Sequence, residues 1–177
     1  MKKKYDTLLF DVDDTLLDFG AAETQALGKL FNDLGIELDD EIEASYKSYN
    51  QSLWKKLEVG SITRKQLLAT RFPTFFKKYF SLDVDADVLT PKYMNYLSMG
   101  HEEVCGARQL LTSLKNSEHK LYVVSNGNLD VQNRRLRDRY SSQRRWASKN
   151  RIRNFLTSSN EALKDSFRKE QSSSVIL

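Results

Sequence analysis

An apolar run that stops at a cluster of acids constrains this chain more than any other feature. Tyr5, Leu8, Leu9, Phe10 and Val12 make Tyr5–Val12 a short buried strand, and Asp11, Asp13, Asp14 and Thr15 end it in an acidic turn. In an open parallel sheet, ligands bind in the crevice beyond the carboxyl ends of the strands, so this turn is the first place to look for chemistry. Carboxylates at i and i+2, with a third beside them, repel one another and call for a cation, most naturally Mg²⁺ with its preference for hard oxygen ligands. Such an arrangement suits phosphoryl transfer through an aspartyl-phosphate, with the neighbour two positions on serving as acid and base. The spacing equally allows a solvated acidic loop after a strand. An EF-hand calcium loop is excluded: its sixth position would be Leu16 rather than Gly, its twelfth Ala22 rather than Glu, and a strand precedes it.

The chain then turns helical. Leu27, Leu30, Phe31 and Leu34 follow helical spacing between Ala21 and Leu34, with Gly35 as a stop. A second helix runs from about Asp40 to Leu57. A third is capped by Thr63 and continues past Pro73 to Tyr79, and a fourth spans Asp85 to Met99. Gly106 to Leu114 reads as another helix. Leu121-Tyr122-Val123-Val124 is a second buried strand that ends at Ser125-Asn126-Gly127, and Asn128 to Arg137 is the helix after it. The order strand, helical insert, helix, strand, helix implies a parallel α/β sheet carrying a helical excursion. Ser125, Asn126 and Gly127 offer a hydroxyl, an amide and loop N–H groups that can hold phosphate oxygens, although an ordinary Asn-Gly turn has the same wording.

Phe10 to Leu17, with the reading Phe-Asp-Val-Asp-Asp-Thr-Leu-Leu, and the later Leu-Tyr-Val-Val-Ser-Asn-Gly resemble the first and second motifs of the haloacid dehalogenase (HAD) superfamily of aspartate-dependent phosphohydrolases. The resemblance covers about residues 4–137. It implies a Rossmann-like core formed by residues 1–18 and 101–137, with an α-helical cap at 19–100. It also implies Asp11 as nucleophile and metal ligand, Asp13 as acid/base with its carbonyl on Mg²⁺, a turn-shaping Thr15, and Ser125, Asn126 and Gly127 on the substrate phosphate. An acid at the second aspartate position separates the phosphatases from the dehalogenases, so hydrolysis of a phosphate monoester is implied. The wording DVDDTLLDF and VVSNGN is most similar to the bacterial pyrimidine 5′-nucleotidase branch, which implies a nucleoside 5′-monophosphate as substrate. Tyr46, Tyr49, Trp54, Phe72, Phe75 and Phe76 could offer a base a stacking face, but aromatics at helical spacing are more often core.

Composition divides the chain near Arg137. Residues 1–137 hold 19 Lys and Arg against 20 Asp and Glu, whereas 138–177 hold 9 against 4, so the net charge of +4 lies wholly in a basic, serine-rich tail. The family's third motif, a lysine, and its fourth, an acidic GDxxxxD pair, have no recognisable counterpart: Lys149, Lys164 and Lys169 lack the expected setting, and Asp165 follows Lys164 rather than Gly. The carboxyl-terminal part of the core is therefore expected to be missing, the sheet to keep two strands, and the tail to be a frameshifted or otherwise altered terminus. The competing class is a catalytically silent HAD-fold protein whose tail arginines, around Trp146 and Phe155, hold nucleic acid or another polyanion; such a tail is more often merely solvated. One cysteine, Cys105, and no apolar run of about 18 residues give the expectation of a cytoplasmic protein without a membrane span. Translating the coding DNA after Arg137 in the other two frames is expected to reveal a continuation containing GDxxxxD. Its absence from both frames would sink the altered-terminus reading.

Overall fold

In the computed structural model, which describes residues 7–115, 119–140, 152–154 and 174–176, the first apolar run forms strand β1 (Thr7–Phe10). Tyr5 lies outside the described residues. Val12 is fully buried but belongs to the turn, where its carbonyl accepts from the N–H groups of Leu16 and Leu17, both at 2.9 Å, and of Thr15 at 3.4 Å. Five helices follow, α1 (Phe19–Asp33), α2 (Asp40–Glu58), α3 (Arg64–Phe80), α4 (Ala86–Leu97) and α5 (Ala107–Lys115); then come β2 (Lys120–Ser125) and α6 (Leu129–Tyr140). Two short strands, β3 (Ile152–Asn154) and β4 (Ser174–Ile176), complete a four-stranded sheet of order β3-β2-β1-β4 with every pair parallel.

The expected α/β class holds, but the expected two-strand sheet does not. The basic tail supplies one strand to each side of the β1–β2 pair. Three-residue strands escape a periodicity reading, and Ile152-Arg153-Asn154 carries a single apolar residue. Residues 138–140 of the expected tail belong to α6, and the remainder, including Trp146, Lys149, Phe155, Lys164, Asp165 and Lys169, lies outside the described residues.

The chain divides into two compact units, Met1–Ala22 with Ser98–Leu177, and Glu23–Leu97. The α/β unit is centred on Leu8, Phe10, Val12, Leu16 and Leu17, packed with Leu111 of α5, Leu121 and Val123 of β2, and Leu136 and Tyr140 of α6. Alternation along β1 and β2 sends Leu8, Phe10, Leu121 and Val123 into this one cluster.

The helical unit begins its elements at local stop and start signals. Asp39 caps α2 by accepting from the Ile42 N–H at 2.7 Å. Thr63 and Gln66 form a reciprocal capping box at the head of α3. Pro73 stands inside α3 without ending it. Its interior is aromatic: the Phe31 and Phe76 rings lie 5.0 Å apart, Tyr46 and Phe75 5.2 Å, and Phe72 and Tyr93 5.3 Å. Tyr46, Phe72, Phe75 and Phe76 are at most 1% exposed, so these four are core and present no stacking face to a ligand. The interior also encloses charge. Arg71 is buried with its guanidinium over the Phe72 and Tyr93 rings, and Glu23 accepts from the Asn50 amide at 2.9 Å and the Tyr93 hydroxyl at 3.4 Å.

Truncating Phe76 to Ala is expected to lower the unfolding free energy by about 3–5 kcal/mol in denaturant titrations. Burial pushes the Glu23 carboxyl above its ordinary 4.5, against the Asn50 hydrogen bond and the Lys47 and Arg71 charges. In the window above 4.5 the folded state thus binds more protons than the unfolded one, and stability falls as pH rises through it. For Glu23→Gln, the unfolding free energy of the variant minus that of the wild type should rise with pH across this window. A flat difference between pH 4 and pH 7 would contradict the buried-carboxylate assignment.

Candidate active site

Parallel pairing sets Phe10 opposite Val123, so the two predicted motifs leave the same edge of the sheet at the ends of adjacent strands. After β1 the chain folds back within a few residues. Asp14 takes the left-handed conformation at φ +57°, one that Asp tolerates better than most residues, and its N–H donates to the Leu17 carbonyl at 2.9 Å. Asp14 Oδ1 accepts from the Phe19 N–H at 3.0 Å, and Asp18 Oδ1 from that of Ala21 at 2.8 Å, which satisfies donors at the start of α1. Thr15 enters the turn through its backbone.

Asp11 is exposed, and among the described residues its carboxylate has one hydrogen-bond donor, the Val12 N–H at 2.7 Å. Desolvation by the surrounding protein pushes this carboxyl above its ordinary value. The Val12 N–H opposes the shift, and the Asp13 and Asp14 charges add to it. The anion is therefore short of stabilisation, which a cation would supply.

Asp13 is the opposite case. Its Oδ1 accepts from Arg135 Nη1 at 2.5 Å and its Oδ2 from Gln132 Nε2 at 2.5 Å. Arg135 is fully buried, and its other donors reach the carbonyls of Gly100 at 2.7 Å and Asp18 at 3.4 Å, and Gln132 Oε1 at 3.2 Å. Ser125, 1% exposed, accepts from the Gly127 N–H at 3.0 Å and from Gln132 Nε2 at 3.2 Å. A Cβ on Gly127 would stand 2.5 Å from that same Nε2, so the second motif needs glycine here for close approach. Asn126 is exposed in the loop, and Asn128 Oδ1 caps α6 by accepting from the N–H groups of Asp130 and Val131.

Asp11, Asp13, Ser125 and Gly127 are thus brought to one end of the sheet, and two further residues, Gln132 and Arg135, join them. Sequence reading missed both because Gln and Arg on a helix ordinarily face water. The available signal was their place on the α6 stripe Val131, Gln132, Arg135, Leu136 and Tyr140, all of which is buried.

The turn offers two hard oxygen donors of the kind Mg²⁺ prefers, the Asp11 carboxylate and the Asp13 carbonyl. No cluster of three or more His, Cys, Asp or Glu suited to a metal occurs among the described residues. No helix among them is long and apolar enough to cross a membrane.

Comparison with known proteins gives the family of the chain. The sequence profile of the haloacid dehalogenase-like hydrolases matches residues 5–150. The HAD-hydrolase YfnB of Bacillus subtilis (strain 168) is 45% identical over 136 residues, 77% of this chain and 57% of YfnB. The pyrimidine 5′-nucleotidase PynA of Streptococcus pneumoniae (strain ATCC BAA-255 / R6) is 38% identical over 132 residues, 75% of this chain and 55% of PynA. The chain therefore spans a little over half the length of these curated relatives. A crystal structure of YfnB bound to magnesium superposes with a TM-score of 0.71, covering 77% of this chain and 60% of that one. CbbY from Rhodobacter sphaeroides in complex with phosphate shares the fold, at 15% identity and a TM-score of 0.58 over 97% of this chain and 76% of its own.

Asp13→Ala would strand the buried Arg135 guanidinium. Complete loss of a buried partner costs about 3–5 kcal/mol, and the partial exposure of Asp13 reduces the expected loss of unfolding free energy to about 2 kcal/mol in denaturant titrations.

Proposed function

Since the chain belongs to the haloacid dehalogenase-like hydrolases, we propose that it carries the machinery of a phosphate monoesterase acting through an aspartyl-phosphate, on nucleoside 5′-monophosphates. One observation carries the reading: Asp11 and Asp13 are treated differently. Asp13 is gripped at both oxygens, whereas Asp11 has only the Val12 N–H.

A nucleophile must keep a lone pair free, and an acid/base group must be aimed. In the proposed reaction Asp13 enters in its acid form: an Asp11 carboxylate oxygen attacks phosphorus, the ester bond to the leaving oxygen breaks, and Asp13 gives that oxygen its proton. Water then attacks the acyl phosphate and yields its proton to Asp13, releasing inorganic phosphate and restoring Asp11. The Asp11 carboxylate and the Asp13 carbonyl would hold Mg²⁺, which when bound offsets the negative charge of phosphate and carboxylate. The Ser125 hydroxyl and the Asn126 loop segment would hold phosphate oxygens, while the Gly127 N–H serves Ser125 Oγ. The helical unit would serve as the cap. The likeness to a pyrimidine 5′-nucleotidase and to a magnesium-bound hydrolase supports the choice of substrate and ion.

The test is hydrolysis of a panel of nucleoside 5′-monophosphates by the purified 177-residue chain with Mg²⁺. Turnover is expected to vanish in Asp11→Asn and to fall about 10²–10⁴-fold in Asp13→Asn, the range for loss of a positioned acid/base group. Turnover that survives in Asp11→Asn would overturn the aspartyl-phosphate route.

A further inference from the structure

We propose that Gln132 is a positioning residue that sets the polarity of the Ser125 hydroxyl, turning it into a hydrogen-bond donor for a phosphate oxygen. This rests on the phosphate-ester reading above and adds to it a residue on α6. The network itself fixes which way the Gln132 amide points. A guanidinium can only donate, so the oxygen of Gln132 must face Arg135 Nη1, 3.2 Å away. With the oxygen so placed, the nitrogen faces Asp13 Oδ2. That nitrogen is also the group 3.2 Å from Ser125 Oγ.

Ser125 Oγ consequently receives two N–H groups, from Gln132 and from Gly127 at 3.0 Å, and these occupy both of its lone pairs. Neither nitrogen can accept in return. Its own proton has no acceptor among the described residues, although Ser125 is 1% exposed. A buried hydroxyl proton without an acceptor is costly, and an anionic oxygen beyond the strand end is the chemistry that relieves it. With a neutral acceptor in place of Gln132, the hydroxyl could spend its proton inside the protein. The Arg135–Gln132 contact prevents this by holding the amide in one orientation.

The experiment measures the affinity of the full chain for inorganic phosphate, with Mg²⁺ present, by calorimetry in wild type, Gln132→Met, Ser125→Ala and the double variant. Gln132→Met should weaken phosphate binding about tenfold, the effect of one hydrogen bond to a charged group. In the Ser125→Ala background it should change nothing further, because the effect runs through that hydroxyl. An unchanged affinity in Gln132→Met, or an equal loss with and without Ser125, would overturn the proposal, as would a wild-type chain that binds no phosphate.

Should Gln132→Met fail to fold, the wild type decides the matter. Phosphate added to the ¹⁵N-labelled chain must shift the Gln132 side-chain amide pair, and an unmoved pair overturns the proposal. Phosphate binding without turnover of any nucleoside 5′-monophosphate would instead sink the functional reading, leaving the Gln132 comparison to be judged by affinity alone.

Discussion

A guanidinium removed from water has to be neutralised and hydrogen-bonded where it lies, and Arg135 meets that demand entirely within the α/β unit. Its donors reach the Asp13 carboxylate, the Gln132 side chain and the carbonyls of Gly100 and Asp18. One side chain on α6 thereby ties the turn after β1, the start of α1 and the segment leading to α5. A buried pair of this kind adds little net stability over an apolar substitute, because desolvation offsets the Coulomb attraction. Its contribution is orientation. The carboxylate has one arrangement that satisfies the guanidinium, and the acidic turn is held to it.

The same demand explains why the two aspartates at the strand end are unlike. Asp13 is occupied at both oxygens, while Asp11 remains exposed with a carboxylate that desolvation and its acidic neighbours destabilise. Local chain geometry produces the contrast: the Val12 carbonyl gathers the turn and Asp14 reverses it at positive φ. The helical unit follows a different logic, in which aromatic rings flank Arg71 and the desolvated Glu23 carboxyl is held by Asn50 and the Tyr93 hydroxyl.

Much of this was legible in the residues. The acidic string after an apolar run located the turn, and the Ser-Asn-Gly string located its partner, because a strand that ends in chemistry is short, apolar and abruptly stopped. Thr63 announced its helix through the capping box it makes with Gln66. Aromatic spacing was less informative: the same periodicity serves a core or a stacking face, and burial of Tyr46, Phe72, Phe75 and Phe76 decided for core. The short tail strands β3 and β4 left no period to read.

What the sequence determined by itself is therefore local: which of the longer segments are strands and helices, roughly where they stop, and that two carboxylates two residues apart stand at a strand end. Those outcomes follow from propensity, periodicity and capping, which act over a few residues. Only the tertiary structure decided that Gln132 and Arg135, more than a hundred residues downstream of Asp13, belong to the same site. Their polar side chains read as a solvated helix face until β1 and β2 pair in parallel register and α6 packs against the sheet. That packing removes water from Arg135 and Gln132 and makes the turn and Ser125 their hydrogen-bond partners.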